Sequence, residues 1–455
     1  MKFQNLTHAI DIGSNSYLLE IGDVRVALDA GSHPKRDGYK TLPKFSEFGH
    51  DTLDAILVSH AHLDHMGSLP VLCRDQPHAL VYMTEETQAV GEAMLHNSVN
   101  VMKSQKDELG IPEYPLYSHR EIDGMARFWN PVKWRAPFYI GDQGHVRAEF
   151  FPAGHVPGAA GILLRDETSG ETAFYTGDVH FEDQTMSKAA DFPTDGIDTL
   201  IIETTRGATE TDPEYTREKE VARLISEINA VIARGGSALI PVFAFGKTQE
   251  LLLMLHEARE HGDLDPHIPI QIGGLSTKMT MIIDGFADTS RRHHPGYKIL
   301  KEMPGVQSIP RRNRGPLQFD PGKIYALSSG MMSEHTVSNK FARNVLHDER
   351  NGLFFVGYAD SETPGGRILA AEHGDKVALD DETPPVQINC PVERFNFSGH
   401  GSRESLLEYI LQVSPKHTIL VHGDEPARVW FAEQLAERAP DMRVTIPQPG
   451  EAFEC

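Results

Sequence analysis

The 455-residue sequence predicts an α/β protein in two parts. One part is a layered sheet whose strand ends carry clustered polar side chains. The other is a mainly parallel α/β domain inserted into the first. Three observations predict this. The segment Ser59-His60-Ala61-His62-Leu63-Asp64-His65 follows directly on the apolar run Ala55-Ile56-Leu57-Val58. Residues of metal-ligand type recur at the ends of further strand-like runs. From Glu203 to His400 no such residue is assigned, while strand-like and helix-like stretches alternate.

In an extended backbone, residues i and i+2 point the same way. His60 and His62 can therefore grip one metal ion, while Asp64 and His65, beyond the turn, face a second. Imidazole nitrogen and carboxylate oxygen suit zinc and other divalent first-row metals. The same setting recurs along the chain. Val24–Leu28 leads to Asp29, Phe150–Gly154 to His155, and Thr172–Gly177 to Asp178. Leu200–Ile202 leads to Glu203 and Thr418–Val421 to His422. Each run is short, rich in β-formers and bounded by Gly or polar residues, which is the strand signal. A single Asp after a strand is ordinarily a turn or cap residue. Together with the histidine cluster, these residues point to one shared cleft. A helix is expected over Thr84–Leu95, with Thr84 as its N-cap.

The long gap between Glu203 and His400 reads as an insertion. Strands are expected at Ser237–Phe243, Ile268–Ile272, Lys323–Leu327 and Leu353–Tyr358. Helices are expected at Lys247–His256, Lys278–Ile283 and from Ser333 to Val345. Strand–helix alternation argues for a parallel sheet. The expected divisions are 1–205, an insert at 206–370, and 371–455. Gly246-Lys247-Thr248 looks like the end of a P-loop, but Pro241 stands where that motif needs its first Gly.

The order Asp29, His60/His62/Asp64/His65, His155, Asp178, His422 resembles the metallo-β-lactamase superfamily. Glu203, Ser398-Gly399-His400-Gly401 and Leu420-Val421-His422-Gly423 resemble its β-CASP nuclease branch. The resemblance implies an αββα sandwich with an inserted β-CASP domain and two divalent metal ions, zinc or manganese. It implies that His60, His62 and His155 hold one ion, that Asp64, His65 and His422 hold the other, and that Asp178 bridges. It gives Asp29 the task of orienting a ligand histidine or fixing the turn, His400 that of general acid, and Glu203 that of fixing the His400 tautomer. Phe243–Glu250 resembles a family segment that usually carries Arg where Lys247 stands, and Ser328-Ser329-Gly330 resembles a small-residue loop. Both are candidates for holding substrate phosphate, beside the alternative of ordinary strand-to-helix turns. Departures from the branch pattern occur at Gly13–Tyr17, at Arg206 and at Ser402. None removes a ligand.

The implied activity is hydrolysis of nucleic-acid phosphodiester bonds, with single-stranded RNA as the expected partner and self-association left open. A DNA nuclease, a thioesterase or lactonase, a flavodiiron-type redox protein and a non-catalytic subunit are the alternatives. Net charge is −22, which disfavours a polyanionic substrate at long range and favours a small one. Arg291-Arg292-His293-His294 and Arg311-Arg312-Asn313-Arg314 are the candidate basic stretches, each equally readable as a solvated loop. His180 and His335 read as capping or surface residues. Charged residues make up 24% and hydrophobic ones 40%, so a globular protein is expected rather than a disordered one. No apolar run reaches membrane-spanning length and no N-terminal signal core is seen. Cys73, Cys390 and Cys455 are too scattered for a disulfide framework, and a reducing cytoplasm is the expected compartment.

Overall fold

The computed structural model describes the chain except for residues 142, 310–318 and 335. The Arg311–Arg314 stretch and His335 therefore lie outside the described residues. Two compact units divide the rest. The first joins Met1–Thr211 to His400–Cys455, and the second is Asp212–Gly399.

The first unit is built on two seven-stranded sheets. One runs in the order Ala452–Glu454, Lys2–Asn5, Tyr17–Ile21, Val24–Leu28, Ala55–Leu57, Leu80–Thr84, Trp129–Val132. The other runs Arg443–Thr445, His417–Val421, Thr199–Glu203, Thr172–Tyr175, Ala160–Asp166, Val146–Pro152, Phe138–Ile140. Their inner faces share one apolar core, in which Phe3, Leu19, Val26 and Leu57 of the first sheet join Phe150, Ile162, Tyr175 and Ile201 of the second. The outer face of the second sheet is covered by helices Arg403–Val413 and Glu425–Arg438, through Leu406, Ile410, Phe431 and Leu435. Helix Glu85–Leu109 packs on strands Leu80–Thr84 and Trp129–Val132 of the other. The layers are thus αββα, as a sheet with two apolar faces requires. Strands such as Thr199–Glu203 and His417–Val421 are buried at every residue, which explains why they read as apolar runs without alternation.

Helix Glu85–Leu109 begins as the sequence indicates, with the Thr84 hydroxyl accepting the Thr87 N–H. It runs well past Leu95 because no breaker intervenes before Gly110, which ends it at a φ of 66°.

The second unit holds a six-stranded parallel sheet in the order Val306–Ile309, Ile270–Gly273, Ile324–Leu327, Ala238–Pro241, Gly352–Phe355, Val392–Arg394. The last of these strands pairs beside Gly352–Phe355, so the unit reaches Gly399, past the 370 drawn from the sequence. Helix Val337–Leu346 starts later than Ser333, since Ser333 and Thr336 are engaged in side-chain turns that precede it. Arg292 is 3% exposed and donates to the Tyr297 carbonyl, so it is a buried loop anchor and not part of a basic groove.

His417 opens its strand almost fully buried, with Nε2 2.8 Å from the Thr445 hydroxyl. Burial first, then Arg443, pushes its pKa down to about 4. The fold therefore favours the neutral ring. Its stabilising contribution is complete above the ordinary value near 6.5 and is lost as pH falls from there towards 4, on the order of 3 kcal/mol in total. Urea midpoints measured from pH 7 to pH 4 are expected to fall more steeply in the wild type than in His417→Gln.

Candidate metal centre

The chain places its polar cluster at one end of the two packed sheets of the first unit. Asp29 follows its strand at a φ of 61°, and His422 follows its own at 46°. These left-handed residues turn the backbone sharply, so that side chains on neighbouring strand ends converge. Backbone bonds lock the turn that carries the histidine-rich motif. Ala30 N–H donates to the His65 carbonyl at 2.7 Å and Ser32 N–H to that of Leu63 at 2.7 Å. Gly31 has no room for a side chain, since a Cβ there would stand 1.7 Å from the Asp64 carbonyl oxygen.

Two donor sets result. In the first, His62 Nδ1 lies 3.1 Å from His60 Nε2 and 3.2 Å from His155 Nε2. Asp178 Oδ2 completes it at 3.5 Å from both His60 and His155. In the second, His422 Nε2 lies 3.4 Å from His65 Nε2 and 3.4 Å from Asp64 Oδ2. Asp178 Oδ1 joins at 3.2 Å from His65 Nε2. Donors ~2.0–2.1 Å from a tetrahedral ion stand ~3.3 Å from one another, so both sets have the spacing of a coordination shell. Asp178 offers one oxygen to each set. Its Oδ1 is buried and has no hydrogen-bond partner among the described residues, which is costly unless a cation is to sit there.

The electrostatics agree. Burial pushes the His60 and His62 rings down, towards the neutral form that coordinates metal. Burial pushes the Asp64 and Asp178 carboxyls up, but the surrounding histidines outweigh it and hold both below their ordinary range. Burial likewise pushes His65 down, and Asp178, Asp64 and Asp29 reverse the effect. The cluster is thus arranged around positive charge at its centre.

A buried scaffold orients these groups. Asp29 Oδ2 lies 2.7 Å from His65 Nδ1 and accepts from the Ser59 and Tyr175 hydroxyls at 2.7 and 2.6 Å. With Nδ1 committed to Asp29, His65 turns Nε2 to the donor set. The Thr205 hydroxyl stands 2.9 Å from His422 Nδ1 in the same sense. The Asn15 amide donates to the Asp64 carbonyl at 3.2 Å. Sequence reasoning missed Ser59, Tyr175, Thr205 and Asn15. Ser59 abuts the motif, but the others carry no local signal, because their partners lie on other strands.

Beside the two sets, His400 Nδ1 is 3.0 Å from both oxygens of Glu203. Glu203 is in turn fixed by the Val179 N–H at 2.7 Å. His400 is 22% exposed and, like His62, only partly buried, against 0–5% for His60, His65, His155 and His422. His180 caps its own loop, bonding locally to Glu182. In the second unit, Lys247 donates to the Phe397 carbonyl. Ser328, Ser329 and Gly330 form the loop after strand Ile324–Leu327. That loop is tied to the following helix by Ser338, and Gly330 packs against the Phe243 ring. Lys247 and this loop therefore follow adjacent parallel strands at one end of that sheet.

Comparison with known proteins accords with this geometry. Models of the metallo-beta-lactamase superfamily, the Beta-Casp domain and the Zn-dependent metallo-hydrolase RNA specificity domain match residues 9–225, 248–368 and 385–447. The chain belongs to the metallo-beta-lactamase superfamily and carries a β-CASP domain. It is 29% identical to cleavage and polyadenylation specificity factor subunit 3 of Dictyostelium discoideum, over 96% of this chain and 55% of that one. It is 30% identical to endoribonuclease ysh1 of Schizosaccharomyces pombe, over 98% of this chain and 58% of the relative. It is 29% identical to the probable RNase MJ4 of Methanocaldococcus jannaschii, over 92% of each. The chain thus spans just over half the length of the first two. A solved structure from Enterococcus faecalis V583, of unknown function, shares the fold with a TM-score of 0.57 at 14% identity, over 99% of both chains.

Proposed function

We propose that this protein is a two-metal phosphodiester hydrolase that cleaves RNA. The convergence of seven donors (His60, His62, Asp64, His65, His155, Asp178 and His422) into two sets sharing one carboxylate carries the reading. Asp178 would offer one oxygen to each ion, and zinc or manganese would suit this imidazole and carboxylate shell. When bound, such a pair neutralises phosphate charge and lowers the pKa of water. The names of the relatives support a nucleic-acid substrate, and the RNA specificity model supports RNA among nucleic acids.

The chain's own residues do the rest. His400 supplies a proton to the departing sugar oxygen, from Nε2, because Nδ1 is engaged with Glu203. Lys247 and the Ser328–Gly330 loop grip phosphates of the strand, the one by charge and the other by main-chain N–H groups. The three free cysteines support a reducing cytoplasm.

Burial alone pushes the His400 ring down, but Glu203 and then Asp178 lift it to about 9. An acid acts only while protonated, so cleavage falls once pH rises far enough to strip the proton that the Glu203 carboxylate helps His400 to keep. Glu203→Gln removes the larger raising charge. The alkaline limb of kcat is expected to move down by roughly 1–2 pH units, with metal content unchanged.

The test of the function itself uses 5′-labelled RNA and DNA strands with different 5′ ends, in zinc or manganese. Internal cuts in RNA support the proposal, and release of mononucleotide would make the enzyme an exonuclease. The net charge of −22 favours a second reading, a small-ester hydrolase. Rapid thioester or lactone turnover with neither polymer cut would establish that reading instead.

A further inference from the structure

A separate group of ligand-type side chains lies on helix Glu85–Leu109 and the short helix His119–Met125. Glu92 and His96 sit one turn apart on the first helix, and Asp123 faces them from the second. His96 Nε2 is 3.3 Å from Asp123 Oδ1 and 4.0 Å from Glu92 Oε1. One donor atom from each of the three lies within 4.8 Å of the others. None of them touches the central donor sets through any described bond. We propose that Glu92, His96 and Asp123 form an additional divalent-metal site that clips these two helices together.

The other nitrogen of His96, Nδ1, is held in place from the second helix. It lies 2.8 Å from His119 Nδ1, and the two rings stack with centroids 5.1 Å apart and an interplanar angle of 19°. In a nitrogen–nitrogen hydrogen bond, one ring donates and the other accepts. With Nδ1 held against His119, His96 turns Nε2 towards the two carboxylates, so that one donor atom of each residue faces the same gap between the helices. His119 then does for His96 what a hydrogen-bond partner does for any ligating imidazole: it fixes the tautomer and the ring orientation. Glu92 and Asp123 are 44% and 57% exposed, so their side chains are free to rotate and close the remaining distance. Three protein donors of N and O type leave one tetrahedral position for water and suit zinc, nickel or copper.

The test counts zinc. Wild-type protein with its central complement loaded is titrated with zinc against a chromophoric chelator, beside His96→Ala, Asp123→Asn and His119→Ala. His78→Ala, which removes an 84% exposed histidine, is the control. Wild type and His78→Ala are expected to take up one equivalent more than His96→Ala or Asp123→Asn, and to melt at a higher temperature in zinc. His119→Ala is expected to bind that equivalent about 10–100-fold more weakly. Cleavage by His96→Ala with the central ions alone is expected to match wild type. Equal stoichiometry and equal melting shifts in wild type and His96→Ala would overturn the proposal and leave His96 as an ion-pair residue. Asp123→Asn carries the test if His96→Ala fails to fold. The readout is a difference between proteins, so it stands whether or not the central centre proves to be a nuclease.

Discussion

Asp178→Ala is expected to empty both donor sets at once and to lower cleavage by roughly three orders of magnitude or more. The reason is its position. Every other member of the two sets belongs to one of them, whereas Asp178 faces His60 and His155 with one oxygen and His65 with the other. Removing it also leaves several histidines packed together without their shared anion, so two cations would repel each other across the gap. Metal content by emission spectroscopy, measured beside turnover, separates this from a folding defect. His155→Ala is the comparison, since it touches one set alone. If Asp178→Ala keeps two ions per chain, the bridging role is wrong.

His400→Ala is expected to behave in the opposite way. It should retain its metal and lose about 100- to 10,000-fold in kcat, the range for a missing general acid. His400 lies beside Asp178 and His422, but its Nδ1 is taken up by both oxygens of Glu203, and each set has its donors without it. A substrate with a good leaving group needs no proton on departure. The variant should therefore recover much of its rate on an RNA analogue whose leaving oxygen is a nitrophenolate. A loss of metal, or an equal deficit on both substrates, would remove His400 from that role.

The donor residues were readable from sequence for a physical reason. A strand end fixes direction, and a His-x-His-x-Asp-His run offers more ligand atoms than a loop ordinarily needs. The parallel character of the inserted sheet was readable from strand–helix alternation, because a parallel connection requires a crossover. What could not be read depends on packing across strands. Tyr175 is an ordinary strand aromatic until Asp29, from the other sheet, comes to lie 2.6 Å from its hydroxyl. Thr205 gains meaning only from the backbone turn at His422. Arg292 shows the reverse error, since a run of basic letters carries no information about which of them faces inward.

Glu203 and His400 are in contact although 197 positions separate them, and the whole inserted unit lies between. The ribosome therefore completes five of the seven donors, along with Asp178 as the sixth, well before it supplies His400 or His422. A growing polypeptide therefore carries Glu203 without its imidazole partner until the whole insert has been made.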